Sequence, residues 1–284
     1  LTDDDFPEKT NDMANNNSSE FPGVDVELGK ESFKHGILLS VILSEILSSL
    51  YTPRAIAECN SINTVLKIAK PLQLKLREWY HSLPKYLQMG ASGSGKFNVN
   101  GNLQLSYFAT EILLHRRIIS TLYNQTRSSQ AFSPASASNN STPSAFSEPQ
   151  SSSQSQQPST IPPPPPQLIA VCRNAAKTRL TASIGFVREL DSSHMQSFWH
   201  SSASRNFASI GVFAVLLYVT SLDADEASIY REHIMDYRWI LKANAETFGI
   251  AKEALGLIDG VIKNIPGLWN EYDDVSMDAV SKNV

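Results

Sequence analysis

The sequence predicts an all-α protein with a long disordered insertion. Three observations carry this: apolar residues recur at alternating spacings of three and four in stretch after stretch, no stretch reads as a strand, and one Ser/Gln/Pro-rich block interrupts the pattern. The chain divides into an acidic extended strap (1–30), a first helical half (31–123), the insertion (124–166), a second helical half (167–270) and an acidic tail (271–284).

Residues 1–30 are polar and acidic, with little periodicity, tied down if at all by Phe6, Phe21 and Val24. From Glu31 to Tyr51 the residues Phe33, Ile37, Leu38, Val41, Ile42, Ile46 and Leu50 are apolar nearly all round, which reads as a buried helix stopped by Pro53. Asn60 or Ser61 then caps a helix in which Ile62, Val65, Ala69, Leu72, Leu76, Trp79 and Leu83 keep the three-four spacing without a slip. Pro71, inside that pattern, either kinks the helix or starts a second one.

The segment Gly90 to Lys96, GASGSGK, copies most of a phosphate-binding loop. The position that should hold magnesium through Ser or Thr is Phe97, and a helix rather than a strand precedes it, so it reads as a flexible Gly/Ser loop. Leu103 to Tyr123 is the central helix: Leu105, Phe108, Ile112, His115, Ile119 and Leu122 share one face, widened by Leu113, Leu114 and Ile118. Its polar residues Glu111, His115, Arg116 and Arg117 are the first candidates for anything specific. His115 lies one turn from Glu111, within reach of an i, i+4 contact. Arg116 and Arg117 point about 100° apart, so one is expected inside, paired or capping carbonyls, and the other in water.

Asn124 to Pro166 is Ser, Gln, Asn and Pro, nearly uncharged, and ends in five prolines from Pro162. Such a segment cannot bury enough surface to offset its ordering entropy, and its end is expected in polyproline II. Ser133-Pro134 and Thr142-Pro143 are candidate phosphorylation sites; the N-x-S/T triplets at Asn124, Asn139 and Asn140 are expected by chance. Order resumes at Gln167 with Ile169, Cys172, Ala176, Ser183, Val187 and Leu190, a helix lined with small residues. Phe198 and Trp199 open a short connection, and Phe207 to Leu222 is the most apolar run. Asp223 or Asp225 caps the next helix, with Ala227, Tyr230, Ile234, Tyr237, Leu241 and Phe248 on its apolar face. A last helix spans Ile250 to Ile265.

Composition narrows the function. A net charge of −4, with few charges of either sign, argues against nucleic-acid binding by this segment through electrostatics, because phosphate contacts need a basic face. Two cysteines, Cys59 and Cys172, fit no metal spacing and no disulfide framework. The run from Phe207 is too short for a bilayer and is flanked by Asp223 and Asp225; Ile37 to Leu50 is shorter and contains Glu45, so no membrane contact is expected. Beginning at Leu1 with no initiator Met and no signal peptide, the chain is expected to be a piece of something longer. The six histidines have no paired metal spacing, and there is neither a nucleophile elbow nor a dinucleotide loop, so no enzyme is expected and no cofactor.

The order of motifs says more than any one of them. W-x-x-x-L-P (Trp79 to Pro84) is followed by Y-F-x-x-x-I-L-L-H-R (Tyr107 to Arg116), then by C-x-x-A-A (Cys172 to Ala176) and by F-W (Phe198, Trp199) before a long apolar helix. This succession resembles the fungal-specific transcription factor domain, the middle homology region behind the binuclear zinc cluster of fungal regulators. It is most similar to the branch that governs use of poor nitrogen sources such as allantoin and GABA. The resemblance implies a nuclear regulatory module for RNA polymerase II genes, partnered by other transcription factors or coactivators and by a small-molecule effector. DNA contact, and zinc, are implied only for a cluster outside this segment. Whether dimerisation uses this region stays open. Two departures matter: the zinc-cluster cysteines are absent, and Arg117 stands where the family usually has Pro, which lets the helix continue. The reading predicts effector- or partner-dependent repacking of the two halves, or a scaffold that recruits an activator and senses nothing. Trp79, Glu111, His115, Arg116 and Trp199 are the candidate effector or helix-packing residues. A pocket lined by Trp79, His115 and Trp199 would favour sensing; a solid core with an outer apolar groove would favour recruitment.

Overall fold

The computed structural model describes residues 22–89, 98–131 and 162–268, and among them every regular element is helical. Nine α-helices follow one another: α1 (Pro22–Leu50), α2 (Pro53–Glu58), α3 (Ile62–Ser82), α4 (Asn100–Ala131), α5 (Pro166–Arg188), α6 (Ser192–Met195), α7 (Ala203–Val219), α8 (Ala224–Asn244) and α9 (Gly249–Ile262). The all-α expectation stands. The Gly/Ser loop, the two Ser/Thr-Pro dipeptides, the Asn139 and Asn140 triplets, the tail 271–284 and residues 1–21 of the strap lie outside the described residues.

Two helices organise the rest. α4 packs against α1, α3, α5 and α7, and α7 packs against α4, α5, α8 and α9. The first half of the chain is thus gathered on α4 and the second on α7, with α4 against α7 joining them. The α7 sequence explains its place: Phe207, Ile210, Phe213, Ala214 and Leu217 have almost no exposure, and burying each large one is worth about 1.5–3 kcal/mol. Gly211 lets α9 come close, because a Cβ there would stand 2.6 Å from Ile258 Cδ1. Gly211→Ala should therefore lower stability: overpacking of about 1–3 kcal/mol exceeds the ~1 kcal/mol gained in helix propensity. Thermal unfolding of that variant, alone and with Ile258→Val to return the space, measures it.

Start signals held where the physics was local. Ser61 caps α3 by accepting from Thr64 N (3.2 Å), and Asp223 caps α8 by accepting from Glu226 N (2.7 Å). Pro71 sits within an unbroken α3. α1 ends at Leu50, shortly before Pro53 as expected, and Pro53 itself occupies the first turn of α2, where its missing N–H is no loss.

Three expectations need correction. The strap 1–30 does not reach residue 30, because α1 already begins at Pro22, whose fixed φ suits a first helical position. The insertion 124–166 begins late: α4 runs on to Ala131, with Thr126 and Ser129 hydroxyls bonding back to the carbonyls of Leu122 and Gln125. Its disorder is a matter for residues 132–161, which lie outside the described residues. At its end, Pro165 has polyproline II dihedrals (φ −57°, ψ 139°) and leads into α5. Third, α1 is not buried all round. Leu39, Ile42, Ile46 and Leu50 face α3 and α4, while Phe33 (50%), Leu38 (54%) and Val41 (52%) remain exposed on its other faces. By length and composition, Glu27–Leu50 is also apolar enough to cross a bilayer, and only 17% of its most apolar stretch is buried, whereas Ala203–Val219 is too short.

Candidate functional site

Three of the five candidate residues lie along one row of α4 and its neighbours α3 and α5, linked through Tyr107 and Arg179 rather than by contact with one another. Trp79 is 5% exposed, donates from Nε1 to the His35 carbonyl (3.0 Å) and stacks on Tyr107, with ring centroids 5.6 Å apart and planes 14° off parallel. One turn along α4 from Tyr107 is Glu111, buried and paired with Arg179 of α5 (Nη1–Oε2 3.4 Å). One turn further is His115, also buried. Glu111 thus turns toward Arg179 and the Tyr107 hydroxyl, rather than toward His115.

The electrostatics follow from burial. Desolvation raises the Glu111 carboxyl above the ordinary range, opposed by Arg179 and by the hydrogen bond from Tyr107. Burial likewise pushes the Tyr107 phenol up, helped by Glu111. Burial, then the Arg179 charge, pushes the His115 imidazole down to about 4, so it is neutral in the folded protein at neutral pH. The cluster is a packed polar seam between the two halves of the chain.

Arg116 and Arg117 divide the work as their 100° separation requires. Arg117 donates from Nη2 to the Cys59 carbonyl at the end of α2 (2.9 Å), and Arg116 is exposed. Both lie near Tyr51, whose phenol donates to the Leu113 carbonyl (2.7 Å) and is pushed up to about 12 by burial against their opposing charge.

Trp199 belongs to a separate aromatic group. It packs on Phe207 and Phe248, donates from Nε1 to the His194 carbonyl (2.9 Å), and its ring lies against Gly101, where a Cβ would meet it at 3.1 Å. A side chain at that position, at the start of α4, would require the Trp199 ring to give by a few tenths of an ångström. Trp79, His115 and Trp199 therefore line no common pocket.

Open space lies outside the core. A groove of about 570 Å³ runs over α4 between α1 and the start of α7, bounded by Phe33, Ile37, Leu103, Leu113, Phe198 and Asn206. A smaller one, about 380 Å³, sits where α4, α5 and the end of α7 meet, beside Arg127 and Arg173.

Sequence reasoning missed the charged residues that clamp helices. Arg173, 7% exposed, donates to the Thr220 carbonyl (2.9 Å) at the end of α7 and pairs with Glu226 of α8 (2.7 Å). Arg238, 2% exposed, pairs with Asp259 of α9 (2.7 Å). The signal was there for Arg173: a lone arginine beside Cys172 and Ala176 on a stripe too small and apolar to leave its head in water. Gln125, inside the Ser/Gln-rich stretch, is buried as well; it accepts from Ile62 N (2.9 Å) and donates to the Pro162 carbonyl (2.6 Å).

The donors present do not fit a zinc cluster. Cys59 and Cys172 are both buried, and no group of three or more His, Cys, Asp or Glu suited to a metal occurs among the described residues.

Compared with known proteins, the chain is 39% identical over 274 residues, 93% of its length, to the transcriptional activator protein DAL81 of Saccharomyces cerevisiae. It spans 24% of that protein's length, about a quarter. No family model matches the sequence, and no solved structure matches it. The similarity supports reading the chain as a region of a fungal transcription factor.

Proposed function

We propose that this chain is the regulatory middle region of a fungal zinc-cluster transcription factor: a non-catalytic nuclear module through which the activator assembles with other transcription factors or coactivators. DNA contact and zinc belong to another part of the full protein, and nitrogen-source genes are the targets the motif resemblance points to. The observation that carries the reading is the 39% identity to a transcriptional activator over nearly the whole chain. The geometry favours recruitment over sensing, since Trp79, His115 and Trp199 are packed in separate buried groups while apolar relief, in the α1 face and the groove beside it, lies outside.

The test is a fusion of the 284-residue chain to an unrelated DNA-binding module, read on a reporter under rich and poor nitrogen sources. Transcription above the DNA-binding module alone is expected. A silent fusion under every condition, with full activity of the natural activator after this region is deleted, would remove the proposal.

One observation favours effector-dependent repacking as a second reading. The Glu111–Arg179 pair, its carboxylate buried and its guanidinium partly exposed, joins the half before residues 132–161 to the half after them, and a buried carboxylate held by a partly solvated partner is easily rebalanced. Hydrogen exchange with and without candidate metabolites should then change along α4 and α5. Identical protection with every inducer leaves a static scaffold.

A further inference from the structure

The outward side of α3 is charged in one sense. Opposite the buried row Val65, Leu72, Leu76 and Trp79, the residues Lys67, Lys70, Leu74, Arg77 and His81 keep the same three-four spacing and are all exposed, Leu74 by 50%. On a helix that spacing makes one stripe. Among the described residues Lys67, Lys70 and Arg77 make no ion pair, whereas Lys75, to one side of the stripe, is paired with Glu45. Glu78 is the helix's one acid, so α3 carries four cations to one carboxylate in a chain whose net charge is −4.

Charge of the opposite sign lies in the chain itself. Residues 1–20 hold six acids and one base, Lys9, a net of −5, and four of the acids crowd into Asp3–Glu8 around Phe6. Pro7 disfavours helix at Phe6. In an extended segment alternate residues share a side, so Asp4, Phe6 and Glu8 present acid, ring and acid about 6–7 Å apart. Along α3, Lys70, Leu74 and Arg77 present cation, apolar side chain and cation at about 6 and 4.5 Å. Reach agrees as well. The Trp79 indole donates to the His35 carbonyl and Lys75 pairs with Glu45, so α1 runs antiparallel to α3 and its start projects past the end of α3. From Pro22 to Lys70 is roughly 35 Å along the helix axis, and the residues between Asp4 and Pro22 span about 60 Å when extended. The acids after Leu268 follow α9, which packs on α7 and α8 in the other half of the chain. An exposed leucine amid the cations, with a carboxylate beside it, suits an acidic peptide bearing one apolar side chain better than it suits duplex phosphates.

We infer that the α3 stripe is a docking surface for Asp3–Glu8 of the same chain, lying parallel to α3 with Asp4 at Lys70, Phe6 over Leu74 and Glu8 at Arg77. Each exposed ion pair is weak alone. The tether supplies the rest, holding the acids at about millimolar effective concentration. While the segment is docked the stripe is closed to other acidic peptides, so a partner's acidic segment must displace it. The inference goes beyond the regulatory reading, and its test needs no transcription.

Carbodiimide joins a carboxylate to an amine it touches. Applied to the full 284-residue chain and mapped by mass spectrometry, it should give amide bonds within one chain between Asp3, Asp4 or Asp5 and Lys67 or Lys70. Their yield should fall at least about fivefold between about 20 and about 500 mM NaCl, because salt screens exposed pairs. Arg77→Glu should cut the yield at least about fivefold by placing like charges together, with an unchanged melting profile by circular dichroism because position 77 is exposed. Adding Glu8→Arg to Arg77→Glu should recover most of the loss. Lys252→Glu, the same kind of charge change on an exposed position of α9, should leave the yield as it was. A chain without these bonds at low salt would overturn the inference, as would a yield that Arg77→Glu leaves unchanged. Bonds confined to products of twice the mass would overturn it in favour of a second copy. Binding of a DNA duplex that Arg77→Glu abolishes, with no cross-link formed in its absence, would assign the stripe to phosphate instead. The reporter fusion can succeed or fail under any of these results, so the docked segment and the regulatory function fail separately.

Discussion

Arg173→Ala is expected to cost about 3–5 kcal/mol and to lower the melting temperature by roughly 10 °C. The guanidinium is 7% exposed and holds three things at once: the Thr220 carbonyl at the end of α7, the more distant Leu217 carbonyl (3.4 Å), and Glu226 in the first turn of α8. A cation at a helix C-terminus complements the dipole, so its loss strands carbonyls and a carboxylate together. Glu226 also accepts from Leu222 N (2.9 Å), and Tyr230, pushed up to about 12 by burial and then by Glu226, sits beside it. The damage should therefore centre on the α7–α8 turn. Adding Glu226→Gln to Arg173→Ala should recover part of the loss, since no unpaired charge remains. Arg54→Ala serves as the control: its pair with Glu58 is 86% and 62% exposed, and such pairs are worth about 0–1 kcal/mol. Equal destabilisation by the two substitutions would contradict the account.

The second large effect is on pH. His115 has its folded value at about 4, below the ordinary 6.5, through burial and the Arg179 charge. The unfolded chain takes up a proton as pH falls past 6.5, while the folded chain refuses it until about 4. Stability from this group is therefore complete above 6.5 and is lost across that window, by about 3 kcal/mol at the acid end. Glu111 works in the opposite sense: its raised value lends stability at low pH that is lost as pH rises past the ordinary carboxyl range. His115→Gln should flatten the acid limb of urea midpoints measured between pH 7 and 4, leaving the Glu111 contribution in view. Superimposable pH profiles for the two proteins would show that His115 is not buried neutral.

Much of the fold could be read before any coordinates. Every member of the α3 row from Ile62 to Leu83 is buried, because a row at alternating three and four on a helix of mixed polarity leaves one face for the core. The α4 seam was legible for the same reason, as was the interior place of α7. Misreading began where periodicity stops discriminating. α1 is apolar nearly all round, and such a helix can be covered by its own fold or by something else; the sequence has no term for which. The end of α4 was lost because Thr, Ser and Gln weigh toward loops, while Gln125 is held by partners far along the chain that no local window contains. Of the site, Trp79 was singled out on the α3 stripe and Glu111 and His115 on the central helix, yet Arg179 and Arg173, which complete the charge balance, lie on a helix read only for its small residues.

That Gln125 amide has an evolutionary corollary. One side chain grips the start of α3 and the chain just before α5, so the exit and return of residues 132–161 are moored at the same post. Lengthening a tether between fixed moorings costs only a logarithm of its length. Insertions and deletions among residues 132–161 are therefore expected to accumulate in evolution at little cost to the helices that flank them.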